Sequence, residues 1–197
     1  MSPRPLMQQL RYLGLKWQAM ACLALGLRPA AGRLFATMLD EFPFDTYALA
    51  SQAHLAAQDG RRADAIELLG ALTTREPGNA HHWFNLGFLL EQERDFERAE
   101  SALRRATELS PQLDRAWYGL GLVLIQMRRF DEAVEALKRN TQLQPMSPYG
   151  WYQLARVHVD RQQPDEARKI IRHLHGFEPK VAAQLERETG LTVSQSG

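Results

Sequence analysis

Between residues 80 and 147 the apolar and polar positions repeat with a period of 34 residues. AHHWFNLGFLLEQERDFERAESALRRATELSPQL is followed directly by DRAWYGLGLVLIQMRRFDEAVEALKRNTQLQPMS. In the first window Trp83, Leu86 and Leu90 stand at i, i+3 and i+7, one stripe of a helix. Gly87 follows on the same side, where a missing side chain lets a second helix approach. That second helix is predicted to start near Phe96, to bring Ala99 to the close crossing and Leu103 into the gap, and to end at Pro111, which cannot continue a helix. Trp117, Leu120, Gly121, Leu124, Ala133, Leu137 and Pro145 take the same places in the second window. Each window is therefore one helical hairpin. A lone hairpin cannot cover its apolar face, so neighbours must stack into a solenoid.

Stepping by 34 residues extends the frame over most of the chain. The alanine column reads Ala31, Ala65, Ala99, Ala133 and Ala167, and the proline column Pro43, Pro77, Pro111, Pro145 and Pro179. A small residue recurs at Ala19, Ala53, Gly87, Gly121 and Ala155. Five windows result, 12–45, 46–79, 80–113, 114–147 and 148–181, after an N-terminal extension, 1–11, and before a short capping helix and polar tail, 182–197. The first two windows depart from the pattern, with Gln18 and Gln52 in the leucine column and Leu15 and Leu49 in the tryptophan column. Val181 and Leu185, one helical step apart, give the end of the chain a helix from Lys180 to Thr189 closed by Gly190, and the tail LTVSQSG reads as frayed.

The columns resemble the tetratricopeptide repeat, W-x2-L-G-x2-Y, then A-x3-F, then P, with Leu standing for the Tyr and the Phe. The resemblance implies an all-α fold: a right-handed α-α superhelix of about five tetratricopeptide-type hairpins with a short C-terminal capping helix. It also implies a binding scaffold. Similar proteins take ligands in a concave groove lined by the first helix of each hairpin, and the frame names the residues that face it here. They are Lys16, Trp17, Met20, Tyr47, Ser51, His54, His81, Phe84, Asn85, Phe88, Arg115, Tyr118, Leu122, Tyr149, Tyr152, Gln153 and Arg156. Lys16, Ser51, His54, His81, Asn85 and Arg115 form a polar zone, and Phe84, Phe88, Tyr118, Leu122, Tyr149 and Tyr152 an aromatic floor. Some family members hold a peptide's terminal carboxylate with Lys, Asn, Asn, Lys and Arg from three successive hairpins. The matching positions are Ala50, His54, Asn85, Arg115 and Gly119, of which only Asn85 is identical; one hairpin earlier, they are Lys16, Met20, Ser51, His81 and Asn85, of which only Lys16 is identical. Neither set is that clamp.

Charge narrows the class of partner. The 24 basic and 23 acidic residues leave a net charge of +1, without the field that draws nucleic acid, so nucleic acid is not expected, and a protein or peptide partner is what the resemblance implies. Arg61-Arg62, Arg104-Arg105, Arg128-Arg129 and Lys138-Arg139 have acids nearby and read as a solvated face. Single Cys22 allows no intrachain disulfide.

The N-terminus carries more apolar residues than a hairpin uses. WQAMACLALGL, residues 17 to 27, is uncharged, but it is shorter than the about 20 residues that span a bilayer and has no clear A-x-A site after it. It reads as a structural helix in a cytoplasmic protein. Leu6, Leu10, Leu13, Trp17, Met20, Ala24 and Leu27 follow alternating steps of four and three, while the repeat frame points Leu15, Ala19 and Cys22 to the core. Two readings follow. In one the frame slips and Trp17 and Met20 are core. In the other Leu13, Trp17 and Met20 form a docking seam for a partner, a second copy (self-association) or a membrane surface, which makes the chain a homo-oligomeric or membrane-associated scaffold.

No catalytic pattern is present: the chain has no H-E-x-x-H, no phosphate-binding Gly-Lys loop and no G-x-S-x-G. His173 and His175, two apart on a helix, diverge, as do His81 and His82, so no metal site is expected. No cofactor is expected either.

Overall fold

The computed structural model describes residues 6–193. Among them eleven helices succeed one another: α1 (Leu6–Ala24), α2 (Arg28–Glu41), α3 (Thr46–Gln58), α4 (Arg62–Arg75), α5 (Ala80–Gln92), α6 (Phe96–Leu109), α7 (Asp114–Gln126), α8 (Phe130–Leu143), α9 (Pro148–Asp160), α10 (Pro164–His175) and α11 (Pro179–Thr189). They pair in sequence as five hairpins and a closing helix. The chain divides into two compact units between His82 and Trp83, inside α5. The extension's residues 1–5 and the tail's residues 194–197 lie outside the described residues.

Helix bounds keep the period even where the sequence pattern thins. α3, α5, α7 and α9 begin 34 residues apart, and so do α2, α4, α6, α8 and α10. α1 ends in phase at Ala24 but begins at Leu6, so residues 6–11 of the extension belong to the first helix. α11 begins at Pro179, inside the last window, with the proline in its first turn, where no N–H is required. The described part of the tail is tied down: the Val193 N–H donates to Glu186 Oε1 at 2.9 Å.

Two backbone devices recur at that spacing. Phe42, Glu76, Ser110, Gln144 and Glu178, each just before a proline of the column, leave helical geometry as proline demands, and each still donates its N–H four residues back. Inside the hairpins, Gly26, Gly60, Arg94, Arg128 and Gln162 are all left-handed, with φ between 58° and 76°. The next residue's N–H reaches back five residues, as from Arg129 to Leu124 O at 2.9 Å, which closes a Schellman turn.

In the first unit Ala19, Ala31, Phe35, Met38, Ala48 and Leu55 form a core, with Leu15 and Cys22 packed against it. The slipped-frame reading of α1 is therefore corrected. Trp17 is 65% exposed, because small Ala19 is the residue that lets α2 come close. Gln52, in the leucine column, donates instead to the Gly32 carbonyl at 2.7 Å.

In the second unit glycines set the crossings. A Cβ on Gly87 would stand 2.6 Å from Leu103, and one on Gly121 2.7 Å from Leu137. Trp117 Nε1 donates to the Pro111 carbonyl at 3.1 Å and Trp151 Nε1 to that of Pro145 at 2.9 Å, which explains why the two columns travel together. The second helices α6 and α8 are joined by a ring of ion pairs. Glu100 accepts from Arg104 at 2.7 Å and Arg129 at 2.6 Å, while Glu132 accepts from Arg104 at 2.5 Å and Arg129 at 2.7 Å.

Candidate functional site: an aromatic cavity in the second unit

A cavity of about 440 Å³ opens among the first helices of the second unit. α5 contributes Phe84, Phe88 and Glu91, α7 contributes Asp114, Arg115, Tyr118, Gly119 and Leu122, and α9 contributes Tyr149. Leu103, Asn140, Gln144 and Ser147 complete the wall. These side chains meet because α5 and α7 present the same turn of the same repeat: Phe84 and Tyr118 are 34 residues apart, as are Phe88 and Leu122.

The aromatic rings divide into floor and rim. Phe84 is 7% exposed and stacks on Phe88 with centroids 6.2 Å apart, so its ring is the floor. Phe88 at 49% and Tyr149 at 69% stand at the opening. Packing uses neither ring fully, so both stand open at the mouth of the cavity. The Arg115 guanidinium lies 5.0 Å from the Phe84 centroid, a cation–π arrangement that holds it over the aromatic floor. Among the described residues no ion pair engages Arg115. Glu91 and Asp114 line the same cavity, so its charge is mixed and it is not a simple anion site. Asn140 is buried and donates from Nδ2 to the Asp114 carbonyl at 2.9 Å, which fixes the amide in the wall.

The remaining residues of the expected groove go elsewhere. Asn85 is exposed on α5 but does not line the cavity. Tyr152 and Arg156 are engaged within the chain: Glu188 of α11 accepts from the Tyr152 hydroxyl at 2.5 Å and from Arg156 at 3.2 Å. The Tyr152 hydrogen bond, with Gln184 and Arg156 helping, holds the Glu188 carboxyl below the usual carboxylate range. In the first unit Lys16 Nζ rests 4.2 Å from the Tyr47 ring centroid. His54 is bonded to Gln58 at 2.9 Å, and exposed His81 receives an Asn79 cap on its backbone N–H at 3.1 Å. Of the expected residues, the structure thus gathers Phe84, Phe88, Arg115, Tyr118, Leu122 and Tyr149 in one place.

Glu91, Asp114, Asn140, Gln144 and Ser147 belong to the cavity and do not follow from the sequence frame. The frame points to side chains of the first helices only, and Asn140, Gln144 and Ser147 enter from a second helix and the turn after it. Among the described residues no group of His, Cys, Asp or Glu is arranged to hold a metal ion.

Tetratricopeptide-repeat family models match residues 51–114, and 90–152 with 124–185. The chain belongs to the tetratricopeptide repeat family. Proteins of this family are generally non-catalytic, and their repeats typically mediate protein–protein interactions by binding protein or peptide partners. No curated protein matches the chain. Among solved tetratricopeptide structures, a crystal structure of MamA superposes with a TM-score of 0.79 at 22% identity, covering 94% of this chain and 97% of that one. MamA from Desulfovibrio magneticus RS-1, residue 41 to the end, gives 0.76 at 19% identity, covering 94% and 97%. YrrB, a tetratricopeptide protein with an unusual peptide-binding site, gives 0.77 at 16%, covering 86% and 88%. Identities this low carry the fold alone.

Proposed function

We propose that this tetratricopeptide protein is a non-catalytic adaptor or assembly factor that holds an extended peptide or a helix of a partner protein at the cavity of its second unit. The observation that carries the reading is the exposure of Phe88 and Tyr149 around a cavity floored by Phe84. An apolar partner side chain fills the space between Phe88, Tyr118, Leu122 and Tyr149. Arg115, which no ion pair among the described residues engages, takes a carboxylate beside it, while Glu91, Asp114 and the Gln144 amide serve partner N–H groups. The peptide-binding site of YrrB, on the same fold, is in keeping with this use.

Selection from a displayed peptide library tests it. Enriched sequences are expected to share an apolar or aromatic residue next to an acidic one. The double change Phe88→Ala and Tyr118→Ala is expected to abolish their capture and leave melting nearly unaltered, since hot-spot rings contribute about 2 kcal/mol or more each to binding. Arg115→Ala weakens capture less, and more at low salt than at high. Full capture by the double variant would move the binding surface away from this cavity.

A further inference from the structure

α1 turns a long apolar stripe away from its own hairpin. Its inner side carries Leu15, Ala19 and Cys22 against the core. At about 100° per residue, Leu6, Leu10, Leu13, Trp17 and Met20 fall on the opposite side. All five are exposed, Leu10 at 57%, and Leu27 continues the stripe beyond the helix. A stacked hairpin needs its first helix apolar on one side only, so this second side has no role in the unit.

Along the sequence the charges of this segment are of one sign. Up to Leu39 the charged residues are Arg4, Arg11, Lys16, Arg28 and Arg33, and the first acid is Asp40. Arg11 is held by Glu41 through two hydrogen bonds of 2.5 and 2.6 Å, and Lys16 rests on Tyr47. Arg28 and Arg33 are exposed, and no ion pair among the described residues engages them. The whole chain is nearly balanced at +1, so this concentration of basic residues is local.

Chemistry and dimensions select the occupant. No helix among the described residues is long and apolar enough to cross a membrane. A helix with a wide apolar face, a tryptophan along it, and basic residues without acids has the composition of one that lies in the plane of a lipid interface. Stripe-on-stripe packing of two copies would bring Lys16 and Arg28 of both together, and α1 carries no acid to offset them. Anionic headgroups offset them directly.

We propose that the outer face of α1 docks on an anionic lipid bilayer, with Leu10, Leu13, Trp17 and Met20 at the acyl boundary and Lys16 and Arg28 at the headgroups. The surface is separate from the cavity and does not depend on the reading given to it. The test is flotation of the full chain with phosphatidylcholine vesicles, with and without phosphatidylglycerol. The chain is expected to float with the mixed vesicles, to remain behind with the pure ones, and to be released as salt rises. Trp17→Glu and Leu10→Glu are each expected to lower the bound fraction about tenfold with the helical signal intact. Should either unfold the chain, Arg28→Glu decides, since this arginine is exposed and outside the core, and it too is expected to weaken flotation. Phe88→Ala with Tyr118→Ala is expected to float like the parent, which separates this proposal from the cavity's function. Absence of flotation by the parent chain overturns the proposal, as does flotation of both Trp17→Glu and Leu10→Glu at the parent's level. A dimer that Trp17→Glu dissolves, with neither form floating, would assign the face to a second copy and overturn it as well.

Discussion

The side-chain oxygen of Asn140 lies 2.1 Å from where a Cβ on Gly150 would fall. Asn140 cannot withdraw, because its amide is bonded to the Asp114 carbonyl and its side chain is buried. Gly150→Ala is therefore expected to cost about 1 to 3 kcal/mol or more, as overpacking against a fixed group does. Gly121→Leu should fall in the same range. A Cβ on Gly119 meets only the tip of Leu103, at 3.3 Å, so Gly119→Ala should leave the melting temperature almost unchanged. Chemical denaturation of the three variants checks the order, and equal losses would contradict the crossing geometry.

The left-handed turn column yields a prediction of opposite sign. Arg94, Arg128 and Gln162 adopt a conformation that costs a side-chain-bearing residue about 1 to 2 kcal/mol relative to glycine. Arg94→Gly should stabilise the chain by roughly 1 kcal/mol, less what the freer unfolded chain regains. Gly60→Ala should destabilise it by a similar amount. Thermal melts of the pair measure both.

The ring of Glu100, Arg104, Glu132 and Arg129 joins two hairpins through charge alone. Glu100 is its most enclosed member, its side chain 14% exposed. Glu100→Gln is expected to lower the melting temperature at low salt and to do so less in high salt, where the parent's ring is itself screened. Melting at two ionic strengths reads the difference.

Glu188 gives the chain an acid-sensitive end. Its folded carboxyl titrates below the ordinary carboxylate range, chiefly through the Tyr152 hydroxyl. A depressed folded value means that the stabilisation is present above the ordinary range and is lost as pH falls through the folded value. Hydrogen exchange should then show α11 opening in acid before the rest of its unit. Glu188→Gln should reduce that pH dependence, leaving the part due to Glu186, whose carboxyl is held low chiefly by the Val193 N–H, and should leave α11 less protected at neutral pH.

Periodicity in the sequence carried the fold because the columns that recur each have a physical role, with small residues at crossings, leucines in the gaps and prolines at the exits. Columns without a fixed residue type stayed hidden. Gly26 and Gly60 hint at the left-handed turn, but Arg94, Arg128 and Gln162 have no preference that would reveal it. The cavity was half legible. Phe88 and Tyr118 follow from the frame, whereas Asn140 enters from a second helix and its place depends on Gly150, a residue with no distinctive column. Tyr152 and Arg156 read as groove residues because nothing in the sequence positions Glu188 beside them. In α1 the spacing gave the stripe, but only the burial of Ala19 shows which way it faces.

The indole-to-proline hydrogen bonds of Trp117 and Trp151 place a separate clasp at each of two inter-hairpin joints. In the first two windows Leu15 and Leu49 replace the tryptophan, and a leucine side chain has no N–H to donate. Cooperativity should accordingly be uneven along the chain. In rising denaturant the first unit is expected to melt as a separate early phase, while indole fluorescence from Trp117 and Trp151 still reports closed joints in the second.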